Sequence, residues 1–310
     1  MTRRPQRPRP AVLALGAGLL LAAAPAAQAD SLETPVQRGA NFASAAGWQA
    51  WSAAQADGSH RLQLRRPDGT VVTPAIPAFG APVDPAIGTR GGADGINTPA
   101  SRRLSAVYSR CAGRSTLAGC DVYALNLTTS KEEKVGALAP KTYSETVPSL
   151  TFGNWSFVRR GGGTRKGTYS YLERGRSRGL VRLSPTLARE TASSQGRIAF
   201  TYKSSRGFGV QIRQSSGEGG TLVGASRLTA QPVSPQITRY RAGWLLPDEG
   251  ATRVFQTRRF VGSGGPFKLT VEEAPRTLPD GVRFAAGDSA KLFARYLDAR
   301  GVQRIDPAIR

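Results

Sequence analysis

Gly196-Arg197-Ile198-Ala199-Phe200-Thr201-Tyr202-Lys203 decides the fold. It reads as a short strand built around an aromatic residue, and weaker copies recur along the chain. Gly153-Asn154-Trp155-Ser156-Phe157 precedes it and Arg241-Ala242-Gly243-Trp244 follows it. Further out lie Gly47-Trp48-Gln49-Ala50-Trp51, Leu104-Ser105-Ala106-Val107-Tyr108 and Gly281-Val282-Arg283-Phe284. The aromatic anchors Trp51, Tyr108, Phe157, Phe200, Trp244 and Phe284 stand roughly 40–57 residues apart, close to the ~40–50 residues of a β-propeller blade.

The rest of each unit agrees. The fourth runs from Gly196–Lys203 through a turn at Ser204–Gly207, a strand Phe208–Gln214, a turn at Ser215–Gly220 and a strand Thr221–Ala225. The first has Arg61–Arg66, a two-residue Asp68-Gly69 hairpin signal and Thr70–Thr73. The sixth has Lys291–Leu297, a turn at Asp298–Gly301 and Val302–Ile305. Arg102–Tyr108 and Ala290–Leu297 admit a short-helix reading, but the strand reading fits the repeat. Segments holding Pro85, Pro148 and Pro235 precede several anchors, and a proline suits the first residue of an inner strand. The anchors are then the residues packed between neighbouring sheets.

The pattern Ser234-Pro235-Gln236-Ile237, then a basic residue ahead of an aromatic, then a glycine-rich turn, resembles the TolB-like and WD-repeat-like propellers, in a form common in secreted actinobacterial proteins. The resemblance covers residues 45–307. It implies an all-β fold, a β-propeller of six blades of short antiparallel strands, and non-catalytic binding in an envelope assembly. The competing architecture is an irregular β-sandwich.

Residues 1–29 read as a signal peptide, and residues 30–310 as the single propeller domain. Arg3, Arg4, Arg7 and Arg9 form the basic region, Ala11–Ala24 the apolar run, and Ala27-Gln28-Ala29 the cleavage site. The mature chain is expected to start at Asp30, to be secreted or envelope-associated, to lack a transmembrane segment and to be monomeric. An uncleaved anchor is the alternative. The two cysteines, Cys111 and Cys120, flank a hairpin loop. In an exported chain such a pair predicts a disulfide that rigidifies the loop. Residues 30–46 are expected to close the ring against Val302–Ile305.

The chain has 43 Lys and Arg against 21 Asp and Glu, a net charge of +22. A folded domain so charged attracts polyanions. The densest run, Arg159–Arg182, contains Arg159, Arg160, Arg165, Lys166, Arg174, Arg176 and Arg178 as a candidate anion-binding patch. The partner expected is a protein or an anionic cell-envelope polymer; export argues against nucleic acid. The bland alternative is a solvated basic face.

No pattern points to a metal or another cofactor. His60 is the only histidine and follows a turn at Asp57-Gly58-Ser59, and Gly161–Gly167 has the wrong order for a phosphate loop. A polysaccharide-active enzyme is the alternative function. It would need paired carboxylates in the central funnel. Asp84, Asp94, Glu145, Asp248 and Glu249 are the candidates.

Overall fold

The computed structural model describes residues 42–91, 104–112, 119–136, 143–161, 163–172, 179–194, 196–216, 221–237, 241–247, 253–261, 269–272, 276–278, 282–288, 291–297 and 303–307. Their strands form six antiparallel sheets in chain order. The first contains β1 (Phe42–Ala45), β2 (Trp48–Ala54), β3 (His60–Arg65) and β4 (Val71–Val72). The second contains β5 (Ala86–Thr89), β6 (Leu104–Cys111), β7 (Cys120–Asn126) and β8 (Glu132–Lys134). The third has β9 (Ser144–Thr151), β10 (Asn154–Arg160), β11 (Gly167–Leu172) and β12 (Leu180–Ser184). The fourth has β13 (Ala188–Ser194), β14 (Arg197–Ser204), β15 (Gly207–Gln214) and β16 (Thr221–Leu228). The fifth has β17 (Val233–Ile237), β18 (Arg241–Pro247), β19 (Arg253–Val261) and β20 (Leu269–Glu272), with β21 (Arg276–Leu278) also on β19. The sixth has β22 (Val282–Asp288), β23 (Lys291–Leu297) and β24 (Gln303–Pro307). The two segments that admitted a helix are strands, β6 and β23.

The first strands of successive sheets touch in a closed circuit: β1, β5, β9, β13, β17, β22 and β1 again. Each sheet therefore buries both faces against its neighbours, and the second strands show it by alternation. On β6, Leu104, Ala106 and Tyr108 pack with Leu62 and Leu64 of sheet one, while Val107 faces Trp155 and Phe157 of sheet three. On β10, Trp155 and Phe157 face sheet two, while Val158 packs with Ala188, Ile198 and Phe200 of sheet four. Ala199 on β14 turns the other way, to Ile237 and Ala242 of sheet five. Tyr108, Phe157 and Phe200 thus each fill the gap to the preceding sheet. Burying one such ring stabilises by about 1.5–3 kcal/mol.

The first strands of neighbouring sheets are not backbone-paired, so hydroxyls stitch them. The Ser193 amide donates to Ser149 Oγ over 2.9 Å, and Thr151 Oγ1 donates to the Ser193 carbonyl over 2.6 Å. Thr191 Oγ1 donates to the Val147 carbonyl over 2.8 Å. Each satisfies a polar group that burial would otherwise make costly.

Three expectations need correction. Pro148 and Pro235 lie within β9 and β17, beside shifts of register, so they sit at bulges rather than strand starts. Val147, next to Pro148, takes a φ of 53° there. The Asp68-Gly69 turn is a three-residue loop: the Gly69 amide donates to the Arg66 carbonyl over 3.0 Å and Gly69 alone is left-handed, at φ 88°. That is a type I turn closed by a glycine bulge. Phe284 stands on the first strand of its sheet, not the second. The described part of the expected closing segment, β1, pairs with β2 and touches β22. The signal segment and residues 30–41 lie outside the described residues.

Candidate anion-binding rim

Antiparallel order fixes which loops share a rim. In a four-strand meander the turn from strand two to strand three and the return to the next sheet emerge on the same side. The Cys111–Cys120 hairpin, the β10–β11 turn and the β14–β15 turn therefore lie on one rim. Cys111 and Cys120 are directly paired across β6 and β7 and form the expected disulfide.

The charge on this rim is uneven. Three cations of sheet two are neutralised: Arg110 by Glu132, Lys134 by Asp121 over 2.7 Å, and Arg90, toward the opposite rim, by Glu133. Sheets three and four differ. Arg165 and Lys166 are exposed on the β10–β11 turn, Arg189 at the start of β13, Lys203 at the end of β14 and Arg206 on the β14–β15 turn. Among the described residues none of these five pairs with a carboxylate.

Neutral groups hold several of them. Arg165 Nη1 donates to the Tyr143 hydroxyl over 3.3 Å, and Arg189 Nη1 to Gln231 Oε1 over 2.7 Å. Exposed Arg182 braces the turn, its Nη2 donating to the Lys166 carbonyl over 2.6 Å. The half-buried ring of Phe208 carries two cations, Arg189 Cζ at 5.7 Å and Lys203 Nζ at 5.6 Å from its centroid. Such contacts hold a cation in place without cancelling its charge.

The residues picked out by sequence separate. Arg159 is 6% exposed and does not reach the surface patch. Its Nε donates to Glu145 Oε1 over 2.9 Å, and its guanidinium lies against the rings of Tyr143, Tyr169 and Phe157. Arg160, its neighbour, is half-buried at the rim, with Nε donating to Thr146 Oγ1 over 3.4 Å. Burial, and after it the charge of Arg189, lowers the Arg160 pKa. Arg165 and Lys166 stand at the rim as described. Arg174, Arg176 and Arg178 lie outside the described residues, between Leu172 and Leu180, whose strand ends are at the opposite rim. Sequence reading missed Arg189, Lys203 and Arg206. The available signal was a basic residue at the start of a first strand or at a strand-two turn in consecutive units.

Glu145 is buried, and its carboxyl is pushed up to about 7, by desolvation first and against the pull of Arg159. Its strand, β9, packs on β6 and β7 of sheet two, and Asp121 and Lys134 of that sheet also act on the carboxyl, the first raising and the second lowering its pKa. Asp84 is exposed, and Asp94, Asp248 and Glu249 lie outside the described residues. His60 is half-buried and exchanges backbone hydrogen bonds with Phe79. Among the described residues no three His, Cys, Asp or Glu side chains group as metal ligands, and no helix is long and apolar enough to cross a membrane.

By sequence, no family model and no curated protein matches this chain. Its shape does have counterparts. TolB from Acinetobacter baumannii superposes with a TM-score of 0.53 at 11% identity, over 85% of this chain and 64% of that one. The chain therefore spans less than two thirds of the TolB length. The β-propeller domain of Cps50 (Swd1) from Myceliophteria thermophila superposes with a TM-score of 0.50 at 8% identity, over 90% of this chain and 99% of that domain. The fold is a β-propeller. A third counterpart, AofleA from Arthrobotrys oligospora, has a TM-score of 0.54 at 11% identity, over 90% of this propeller and 86% of its own chain. Identities this low carry the fold and nothing finer.

Proposed function

We propose that the chain is an exported, non-catalytic, six-bladed propeller, of the type found in secreted actinobacterial proteins, that binds an anionic envelope polymer or an acidic protein surface through its basic rim. The observation that carries this reading is the contrast between sheets. Arg90, Arg110 and Lys134 of sheet two are matched by carboxylates, whereas Arg165, Lys166, Arg189, Lys203 and Arg206 are exposed without one among the described residues. Unmatched cations on one rim repel each other unless a polyanion supplies the counter-charge. The field they make reaches about a Debye length, ~8 Å in physiological salt.

Export is supported by the signal-like residues 1–29 and by a disulfide, which persists in oxidising compartments. The enzyme alternative gains nothing from Glu145, whose carboxylate is committed to Arg159.

Retention of the purified chain on isolated cell envelope across a salt gradient tests the proposal. Binding that disappears by a few hundred millimolar salt, and earlier in an Arg165→Gln/Lys166→Gln variant, supports it. Retention indifferent to salt and to that variant would move the partner off the rim. No retention at all would overturn the reading.

A further inference from the structure

We propose that a cleft at one end of sheet two binds a sugar acid, a single polyhydroxylated ring that carries one carboxylate. The cleft lies apart from the basic rim, and the inference does not rest on that rim.

The order of strands assembles it. Arg90 follows β5, Ser105 is near the start of β6, Asn126 ends β7, Thr129 and Lys131 stand on the β7–β8 turn, and Glu133 is on β8. In an antiparallel meander these positions share the rim opposite the Cys111–Cys120 hairpin. They line a cavity of about 160 Å³. Ser105 is buried, whereas Thr129, Lys131 and Glu133 are exposed, so the cavity has a covered base and an open mouth.

The turn at the mouth is held in place. Asn126 Oδ1 accepts from the amides of Thr128 and Thr129, each over 2.9 Å, and the Asn126 amide donates to the Lys131 carbonyl over 3.0 Å. A turn fixed in this way loses little freedom when a ligand binds. On the other wall Arg90 pairs with Glu133, and its guanidinium carbon stands 5.7 Å from the centroid of the Trp155 ring. Trp155 Nε1 is buried without a hydrogen-bond partner among the described residues, so the indole behind Arg90 has a donor to spare.

Charge and hydrogen-bonding capacity select the ligand. Arg90 and Glu133 cancel, and the Lys131 ammonium has no carboxylate partner among the described residues, which leaves one positive charge. One carboxylate matches it. A phosphate monoester brings about −1.5 to −2 and would face Glu133 as well. A cationic ligand would face Lys131 and Arg90. The rest of the lining mixes donors with acceptors: the Ser105 and Thr129 hydroxyls, the Asn126 amide and the Glu133 carboxylate. Sugar hydroxyls both donate and accept, so they suit such a wall, whereas an alkyl acid would leave it unmatched. The volume is well below the ~300–1,000 Å³ of a pocket for a drug-sized molecule, which fits one ring and not a longer piece of chain. Binding needs no covalent change.

The test is calorimetric titration of the full chain, at one fixed ionic strength, with glucuronate, glucose, glucose 6-phosphate and propionate. Glucuronate is expected to bind about tenfold more tightly than each of the other three, the worth of one charge-assisted hydrogen bond. Lys131→Gln should erase the preference for glucuronate over glucose. Glu133→Gln raises the charge of the cleft and should shift its preference toward glucose 6-phosphate. Arg66→Gln, which removes an exposed cation of sheet one, should change neither preference. Of the four indole N–H resonances, that of Trp155 should move most on adding glucuronate. Equal affinity for glucuronate and propionate, a preference that survives Lys131→Gln, a stationary Trp155 resonance, or no binding at all would each overturn the cleft. None of those results bears on envelope retention by the basic rim, and loss of that retention would leave the cleft standing.

Discussion

Arg159 Nε donates to Glu145 Oε1 over 2.9 Å, between side chains that are 8% and 0% exposed. The pair closes the base of sheet three against sheet two, and it makes stability depend on pH. Desolvation lifts the Glu145 carboxyl from its ordinary 4.5 to about 7 in the folded chain. The folded state therefore holds this proton more tightly than the unfolded state. Its contribution is complete below about pH 4.5 and is lost as pH rises to about 7. Denaturant unfolding at several pH values should show this fall, set against the opposite trend of ordinary carboxylates. Glu145→Gln should remove the fall, although it lowers absolute stability by leaving Arg159 buried without its partner. A slope unchanged by that substitution would assign the dependence to another group.

The closed circuit of first strands leaves no room for a side chain where β5 passes β9. A Cβ on Gly88 would overlap the carbonyl oxygen and carbon of Leu150. Both clashing atoms are backbone, so neither can swing aside. Gly88→Ala should cost about 1–3 kcal/mol or more, as overpacking does. Gly136→Ala, with nothing within 4 Å of its added carbon, should stay within about 0.5 kcal/mol. Equal melting temperatures for the two variants would contradict the strand spacing.

The anchors made the fold legible because their burial is a local property. Tyr108, Phe157 and Phe200 each stand on a strand buried on both faces, and such a strand advertises itself in sequence. Unit four was read almost to its strand ends, because glycine and serine mark both turns. Phe284 misled, because the sixth sheet has no described strand before β22 and the anchor's place in the unit moved.

The site was legible only in part, because adjacency in sequence is not adjacency on a rim. Arg159 and Arg160 are neighbours in the chain, yet strand alternation sends one inward to Glu145 and leaves the other at the surface. Arg160 and Arg189 are far apart in the chain, and the contact of β10 with β13 puts them on touching strands at one rim. No spacing rule in the sequence connects those two residues. Only the order of strands within the sheets does.

The disulfide gives the last prediction. Cys111 and Cys120 end β6 and begin β7, and the closed loop is short, with a sequence separation of 9. In the chain-entropy account, a loop of that size stabilises by at most about 2–3 kcal/mol. The hairpin also has a second tie, since the buried Cys120 amide donates to Ser144 Oγ on β9 over 3.0 Å. Replacing both cysteines by serine should therefore lower stability by no more than that amount and leave the fold intact. Hydrogen exchange should quicken at residues 111, 112, 119 and 120 and stay unchanged at β10 and β14. Binding to polyanions should not change either, because the unmatched cations stand on sheets three and four. Loss of the whole fold on removing the bridge would mean that sheet two depends on it and not on the Tyr108 and Val107 packing that joins it to its neighbours.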